Sequence, residues 1–285
     1  MTVLISAGVS IVTVLLSFLL KAWFERYFLI FKLEAEHRYE QKKKIKEVIA
    51  KNKTSLLDAA ESLNHRLWNF SKNYEKGWHK LSGKLVPDSH YYLASFAYRI
   101  LSFYAWVRRV EIQMVYLDAT VASRDDLNFL KFLRLFEQTM CDTVLFEGLK
   151  YNSFYSRDHF FKNNFVHMCE CFWKNDEIMS YADFKSNTAG CLEEAEPMVD
   201  FLSGMNPEES RLRWDRLQAL HYVLLMFLNS YGYEFQRTSI DKIKSLLDSA
   251  PRQNKTIRNM ESMIEEMSLG KHSEVKRVLE TLQKL

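Results

Sequence analysis

Glycine and proline are scarce in this chain, eight and four among 285 residues, well below ordinary usage. That argues against folds built from tight turns. Hairpins draw on Asn-Gly or Asp-Gly pairs between alternating runs, and none occurs here. It also argues against phosphate-cradling loops: no Gly-x-Gly-x-x-Gly turn and no Walker A loop is present. The Gly-x-Ser-x-Gly elbow of hydrolases and the His-Glu-x-x-His zinc helix are missing too. Four cysteines, Cys141, Cys169, Cys171 and Cys191, lack the spacing of a disulfide framework. Excess charge is lacking as well. The net charge is +3, and the flank from Lys21 to Lys53 alone contributes ten bases against five acids. The remainder is slightly acidic and carries no basic stripe with interleaved aromatics, so nucleic acid is not an expected partner. There is no internal repeat and no low-complexity tract.

What the chain does have is one uncharged run. From Thr2 to Leu20 there is no charged residue, no Asn or Gln and no Pro. Nineteen residues at 1.5 Å each reach about 28 Å, close to the hydrocarbon thickness of a bilayer. Lys21, Trp23, Glu25, Arg26 and Tyr27 follow, a mixture suited to the headgroup layer. No basic segment precedes the run and no small-x-small cleavage site follows it, which favours an anchor over a cleaved signal peptide. Residues 1–21 are therefore read as a single transmembrane helix, with the lipid bilayer as a partner. The basic residues after the span, including Lys42, Lys43, Lys44 and Lys46, place the C-terminal bulk in the cytoplasm by the positive-inside rule. They read first as a stop-transfer flank, and second as a contact for anionic lipid. Glycosylation acceptor patterns at Asn52, Asn69 and Asn254 would matter only for a luminal domain, and chance supplies such patterns.

Within the run, Ser6, Ser10, Thr13 and Ser17 recur on one helix face. Small hydroxyl residues let two membrane helices approach, so this face is a candidate for homo-oligomer contact. The plainer alternative is that each hydroxyl bonds back to its own turn.

Residues 22–70 form a helical stalk without Gly or Pro, whose later turns regain an apolar rhythm at Ile45, Val48, Ile49, Leu56, Leu57, Ala60, Leu63 and Leu67. Residues 71–238 read as an all-α bundle of about six helices by their 3.6-residue period. Pro87-Asp88-Ser89 opens an apolar helix to about Asp118, expected to be the central buried one. Ser123-Arg-Asp-Asp126 caps a helix over Leu127–Leu149, and Pro207 opens another through Leu228. Thr188 starts a helix toward Gly204 that Pro197 must break or kink. Residues 239–285 are short amphipathic helices, either docked on the bundle or free to bind a partner.

The most chemical-looking cluster is His167-Met-Cys-Glu-Cys171. Zinc needs four converging ligands, and core packing is the expectation; no metal and no cofactor is assigned. Arg99, Arg108, Arg109 and Asp118 punctuate the apolar helix after Pro87. They are read as a buried polar network with Asp125, Asp126, Asp158 or Glu170 as counter-charges, or as the wall of a pocket for an anionic ligand. No residue is assigned as catalytic. His221, between Leu220 and Tyr222, reads as a hydrogen-bonded core histidine.

The architecture resembles that of membrane-tethered interaction proteins, among them bacterial stress or antiviral-defence effectors that act on the membrane when assembled. It implies a non-enzymatic effector whose cytosolic domain binds a protein partner. The alternatives are a membrane-bound enzyme with a pocket in the bundle, and an oligomer that permeabilises the membrane through its Ser/Thr face.

Overall fold

The computed structural model describes residues 2–174, 177–187, 190–248 and 255–283; the side chains of residues 1–7, 9, 11, 12, 247 and 248 lie outside the described set. Helix dominates, as the scarcity of turn residues predicts. The helices are α1 Thr2–Asn73, α2 Tyr91–Met114, α3 Arg124–Cys141, α4 Lys162–Glu170, α5 Tyr181–Lys185, α6 Cys191–Glu194, α7 Glu196–Leu202, α8 Arg213–Tyr231, α9 Ile240–Asp248, α10 Ile257–Glu266 and α11 Ser273–Leu282. A two-residue antiparallel pair, β1 Trp173–Lys174 with β2 Glu177–Ile178, was not foreseen.

Helix α1 is one rod of 72 residues, about 108 Å long at 1.5 Å per residue. Nothing between Gly8 and Gly77 can break it, since no Gly or Pro intervenes. It stops where Gly77 takes the left-handed conformation (φ 69°) and its N–H caps the carbonyl of Tyr74 at 3.1 Å. Up to Glu40 every described residue of the rod is exposed, and Glu34, His37, Arg38 and Tyr39 face the turn at Asp118–Val121 across an open cleft. From Ile45 a buried stripe runs through Ile49, Leu56, Ala60, Leu63 and Leu67 into the core.

Helix α2 folds back along this stripe, antiparallel. The register is written in side-chain bonds: Tyr92 to Asn69, Arg66 to Ser95, Arg99 to Ser62 and Asn52 to Gln113, at 2.8–3.0 Å. Further along, Gln41 accepts from the Asp118 N–H at 3.3 Å. Helix α2 has no fully exposed residue from Tyr92 to Glu111, yet it is not the most enclosed helix. That place belongs to α8, in which Ser230 alone falls short of burial, because α1, α3 and α11 all pack on it.

Several boundaries differ from expectation for local reasons. Residues 87–90 form a turn ahead of α2, and α2 ends at Met114, while Asp118 caps the next turn by accepting from Thr120 N–H at 2.9 Å. Ser123 caps α3 as expected, accepting from Asp126 N–H at 3.2 Å. The helix ends at Cys141 and not Leu149, because Arg216 seizes its last carbonyls. The Arg216 guanidinium is fully buried, donates to the carbonyls of Thr139 and Asp142, and lies 4.3 Å over the Phe146 ring. A cation at a helix C-terminus also meets the negative end of the dipole. Pro207 does not start α8; residues 207–212 are turns, clamped by Arg213, which pairs with Glu209 and donates to the carbonyls of Asp200, Phe201 and Ser203. Pro197 sits in the first turn of α7, where its missing N–H costs nothing. The C-terminal helices dock: Ile243, Leu246, Met260, Ile264, Leu269, Val275 and Val278 all join the core.

His221 is the buried histidine expected. Its Nε2–H donates to Asn64 Oδ1 at 3.0 Å, and its ring meets Trp68 edge-on at 5.0 Å. Burial first, and the charge of Lys242 second, hold its pKa down at about 3. The unfolded chain binds this proton near pH 6.5 and the fold does not, so stability is full above about 6.5 and falls as the pH drops toward 3. Between pH 7 and 5 this group removes about 2 kcal/mol. His79 and His159, also lowered by burial, act in the same direction. Replacing His221 by Gln keeps a donor toward Asn64 and should flatten the pH 7-to-5 loss in thermal melts. An unchanged slope would remove His221 from this role.

Candidate functional site

Two regions present unusual chemistry, and a third looks catalytic at first sight. The first is the free length of α1. Phe18 is 71% exposed, Trp23 62% and Phe28 66%, and large apolar side chains from Val14 to Leu33 are bare to a similar degree. Burying each such side chain is worth about 1.5–3 kcal/mol, so this surface is strained in water. Among the described residues no helix is long and apolar enough to cross a membrane. The uncharged run also takes in Val3, Leu4, Ile5, Val9, Ile11 and Val12, whose side chains are outside the described set. On the Ser/Thr face, Ser10, Thr13 and Ser17 are exposed, and Ser17 Oγ bonds back to the Thr13 carbonyl at 2.8 Å; the side chain of Ser6 lies outside the described residues. Lys42, Lys43, Lys44 and Lys46 are all exposed, with Lys43 3.9 Å from Glu47.

The second region is a groove of about 360 Å³ where α1 crosses α2, lined by Ser62, His65, Arg66, Asn69, Trp78, Tyr92 and Arg99. Arg66 is buried, donates to Ser95 Oγ at 2.8 Å, and stacks 4.3 Å over Tyr92. Arg99 is half-buried and donates through Nε to Ser62 Oγ at 3.0 Å. Burial first and the Arg66 charge second lower the Arg99 pKa, and only tyrosines, Tyr91, Tyr181 and Tyr92, pull it back.

The third is a cleft of about 350 Å³ beside His159, lined also by Ser156, Arg157, Glu196, Asp200 and Arg211. Asp158 N–H donates to the Tyr151 hydroxyl at 3.2 Å, and that hydroxyl is hydrogen-bonded to His159 Nδ1. With Nδ1 as acceptor, the neutral ring carries its proton on Nε2, and its basic nitrogen is taken up by the Tyr151 phenol. Burial, then the charge of Arg216, lowers the pKa of the ring. The Asp158 carboxylate is fully occupied by Arg211 Nε at 2.7 Å and Leu212 N–H at 3.0 Å. Among the described residues no hydroxyl or thiol is hydrogen-bonded to His159 as a nucleophile would be, the Tyr151 phenol apart.

The structure does not bring Arg99, Arg108, Arg109 and Asp118 into one network. Over α2 their side chains point to different neighbours: Arg108 pairs with Glu111 at 3.3 Å and Glu170 at 3.1 Å, and Arg109 lies between the indoles of Trp106 and Trp173 at 5.3 and 4.6 Å. Asp118 is exposed on its turn, and Arg99 joins the groove. Of the suggested counter-charges, Glu170 serves Arg108, while Asp158 is taken by Arg211 and Asp126 by Ser123. Arg66, Trp78, Tyr92 and the bond of Tyr151 to His159, itself a candidate base by residue type, were missed. Arg66 falls between Leu63 and Leu67 on the apolar side of α1, and a charge there was the available signal.

No family model, no curated protein and no solved structure matches the chain.

His167 and the cysteines do not converge. His167 faces Glu194 at 3.4 Å, Cys191 Sγ donates to the Cys171 carbonyl at 2.7 Å, and Cys171 Sγ to that of Met168 at 3.1 Å. Among the described residues no three His, Cys, Asp or Glu side chains are placed to hold a metal. Burial pushes all four thiols up, Cys141 to about 12. At pH 8 the folded protein should therefore react with an aromatic disulfide reagent only as fast as it unfolds. A burst of one equivalent would show an activated thiolate and overturn the packing role.

Proposed function

We propose that the chain is a membrane-anchored, non-enzymatic effector whose helical domain lies in the cytoplasm and binds a protein partner. The observation that carries this reading is the double character of α1. From Val14 to Leu33 its large apolar side chains are exposed, on the same helix as the uncharged run from Thr2, and its second half is a core helix of the bundle. A surface of that kind calls for lipid or for another helix. The Lys-rich length after it supports a cytoplasmic domain. The His159 ring, its pKa lowered and its Nδ1 engaged by Tyr151, and the thiols, their pKa values raised by burial, weaken the enzyme alternative. A contact between copies through Ser10, Thr13 and Ser17, or their lining of a pore, stays open to the same preparation.

Carbonate extraction at high pH tests the anchor. Wild-type protein should remain with the membranes. Replacing both Ile11 and Leu15 by Arg adds about 2.5–3.5 kcal/mol per charge at the centre of the span, and should move the protein to the supernatant or to aggregates. Protease added to intact cells should spare the domain and cut it only after lysis. Release of the wild type by carbonate would end the reading, and cleavage in intact cells would reverse the orientation.

A further inference from the structure

We propose that the groove between α1 and α2 is a receptor site for a soluble, phosphate-bearing small molecule, with Arg66 and Arg99 as the anion clamp and Trp78 and Tyr92 as the wall for a flat ring. The first ground is an exception in how this protein treats arginine. Elsewhere Arg213 is matched to Glu209 by two bonds, Arg211 to Asp158, and Arg108 to Glu111 and Glu170, while Arg216 donates to two carbonyls and Arg109 lies between two indoles, each alone in its place. Arg66 and Arg99 face one groove, and among the described residues neither has a carboxylate partner. Arg66 is only 7% exposed. Two like charges in a half-dry site repel, and the arrangement persists more easily with an anion between them.

The acids nearby are engaged elsewhere. Glu61 accepts from Gln236 at 2.9 Å and faces His65 at 3.6 Å, Asp183 accepts from Ser180 at 2.7 Å, and Asp88 pairs with Lys185. Tyr181, whose ring interacts with both arginines, lies outside the lining of the groove and leaves its anion side open. Arginine forks match phosphate oxygens in pairs, and a dianion answers two positive charges better than a carboxylate does.

The size and place of the groove narrow the ligand. Its volume, about 360 Å³, falls at the small end of ligand clefts. Trp78 is 48% exposed on its rim, 5.7 Å from the Tyr92 ring, and offers a stacking surface. On the anchored reading, Arg66 lies 46 residues beyond Leu20 on the same helix, about 70 Å at 1.5 Å per residue. Headgroups of that membrane are out of reach, so the phosphate belongs to a soluble molecule.

Calorimetric titration of the full chain in detergent tests this, with potassium phosphate, adenosine 5′-monophosphate and short-chain phosphatidic acid as probes. Phosphate should bind weakly and the nucleotide more tightly. Arg99→Gln, its fold checked by a thermal melt, should weaken both by about tenfold or more, and Arg99→Lys by less. Trp78→Ala should weaken the nucleotide and not phosphate, and Arg108→Gln, outside the groove, neither. No binding by about 10 mM of any probe, or equal affinity in Arg99→Gln, would falsify the site. Nucleotide no tighter than phosphate would overturn the ring wall, and phosphatidic acid tighter than the nucleotide would overturn the soluble ligand. The titration does not read insertion, and carbonate extraction does not read the groove, so the two proposals fail separately.

Discussion

The antiparallel seam between α1 and α2 is the contact on which the remaining structure is assembled. A helix of 72 residues gains little from propensity over its bare first half, but its second half is fixed by one long partner. Ile45, Leu56, Ala60 and Leu63 from one side and Leu93, Phe96, Ile100 and Phe103 from the other are buried along that length. Apolar packing of this kind sets the energy and leaves the register loosely specified. The register comes from the polar pairs at its edges, Asn69–Tyr92, Ser95–Arg66, Ser62–Arg99 and Gln113–Asn52, each of which would be unmet after a slip of one turn. The same seam creates the groove, because the residues that set its register line its open side.

Arginine is handled here in two ways, and the contrast separates structure from ligand chemistry. Arg213 and Arg216 are interior staples. Each satisfies backbone carbonyls that a helix end or a turn leaves open, and each terminates an element that apolar periodicity alone would have continued. Their cost in desolvation is offset by these bonds, five for Arg213 counting those to Glu209, and two with the Phe146 ring for Arg216, which is fully buried with its Nε unmet. Arg66 and Arg99 make one bond each to a serine and face an open groove. A structural role would be met by one such residue with an acid opposite it.

Helical class, the cap at Ser123, the break at Pro197 and the core identity of His221 were legible in the sequence, since each rests on local chemistry. Helix ends at Cys141 and Arg213 were not, because tertiary donors decide them: Arg216 reaches α3 from α8, some 74 residues away in sequence. For the same reason a line of charges on α2 could be seen but not divided. Arg99, Arg108 and Arg109 lie within three turns, yet α1, α4 and the Trp173 strand approach different sides of α2 and sort them into a groove, an ion pair and an aromatic slot. The tail after Ser239 shows only amphipathic short helices in sequence, and packing against α8 and the turn at Val144–Phe146 settles their place.

The absence of a joint in α1 has a mechanical consequence on the anchored reading. Tethered domains usually hang from a linker that lets them turn freely. Here the first residue able to break the rod after Gly8 is Gly77, beyond the entire seam. Rotation of the membrane end would therefore reach the core, and a clamp on Arg66 and Arg99 would act on the rod itself and not on an appended loop. Helices carry such motion because their hydrogen bonds resist local bending without a Pro, a Gly pair or a bulge. A ligand that tightens α1 against α2 would change how the rod leaves the bundle, and a partner helix gripping the bare half would change how tightly the groove closes. By reciprocity the two effects share one coupling energy, whatever its size.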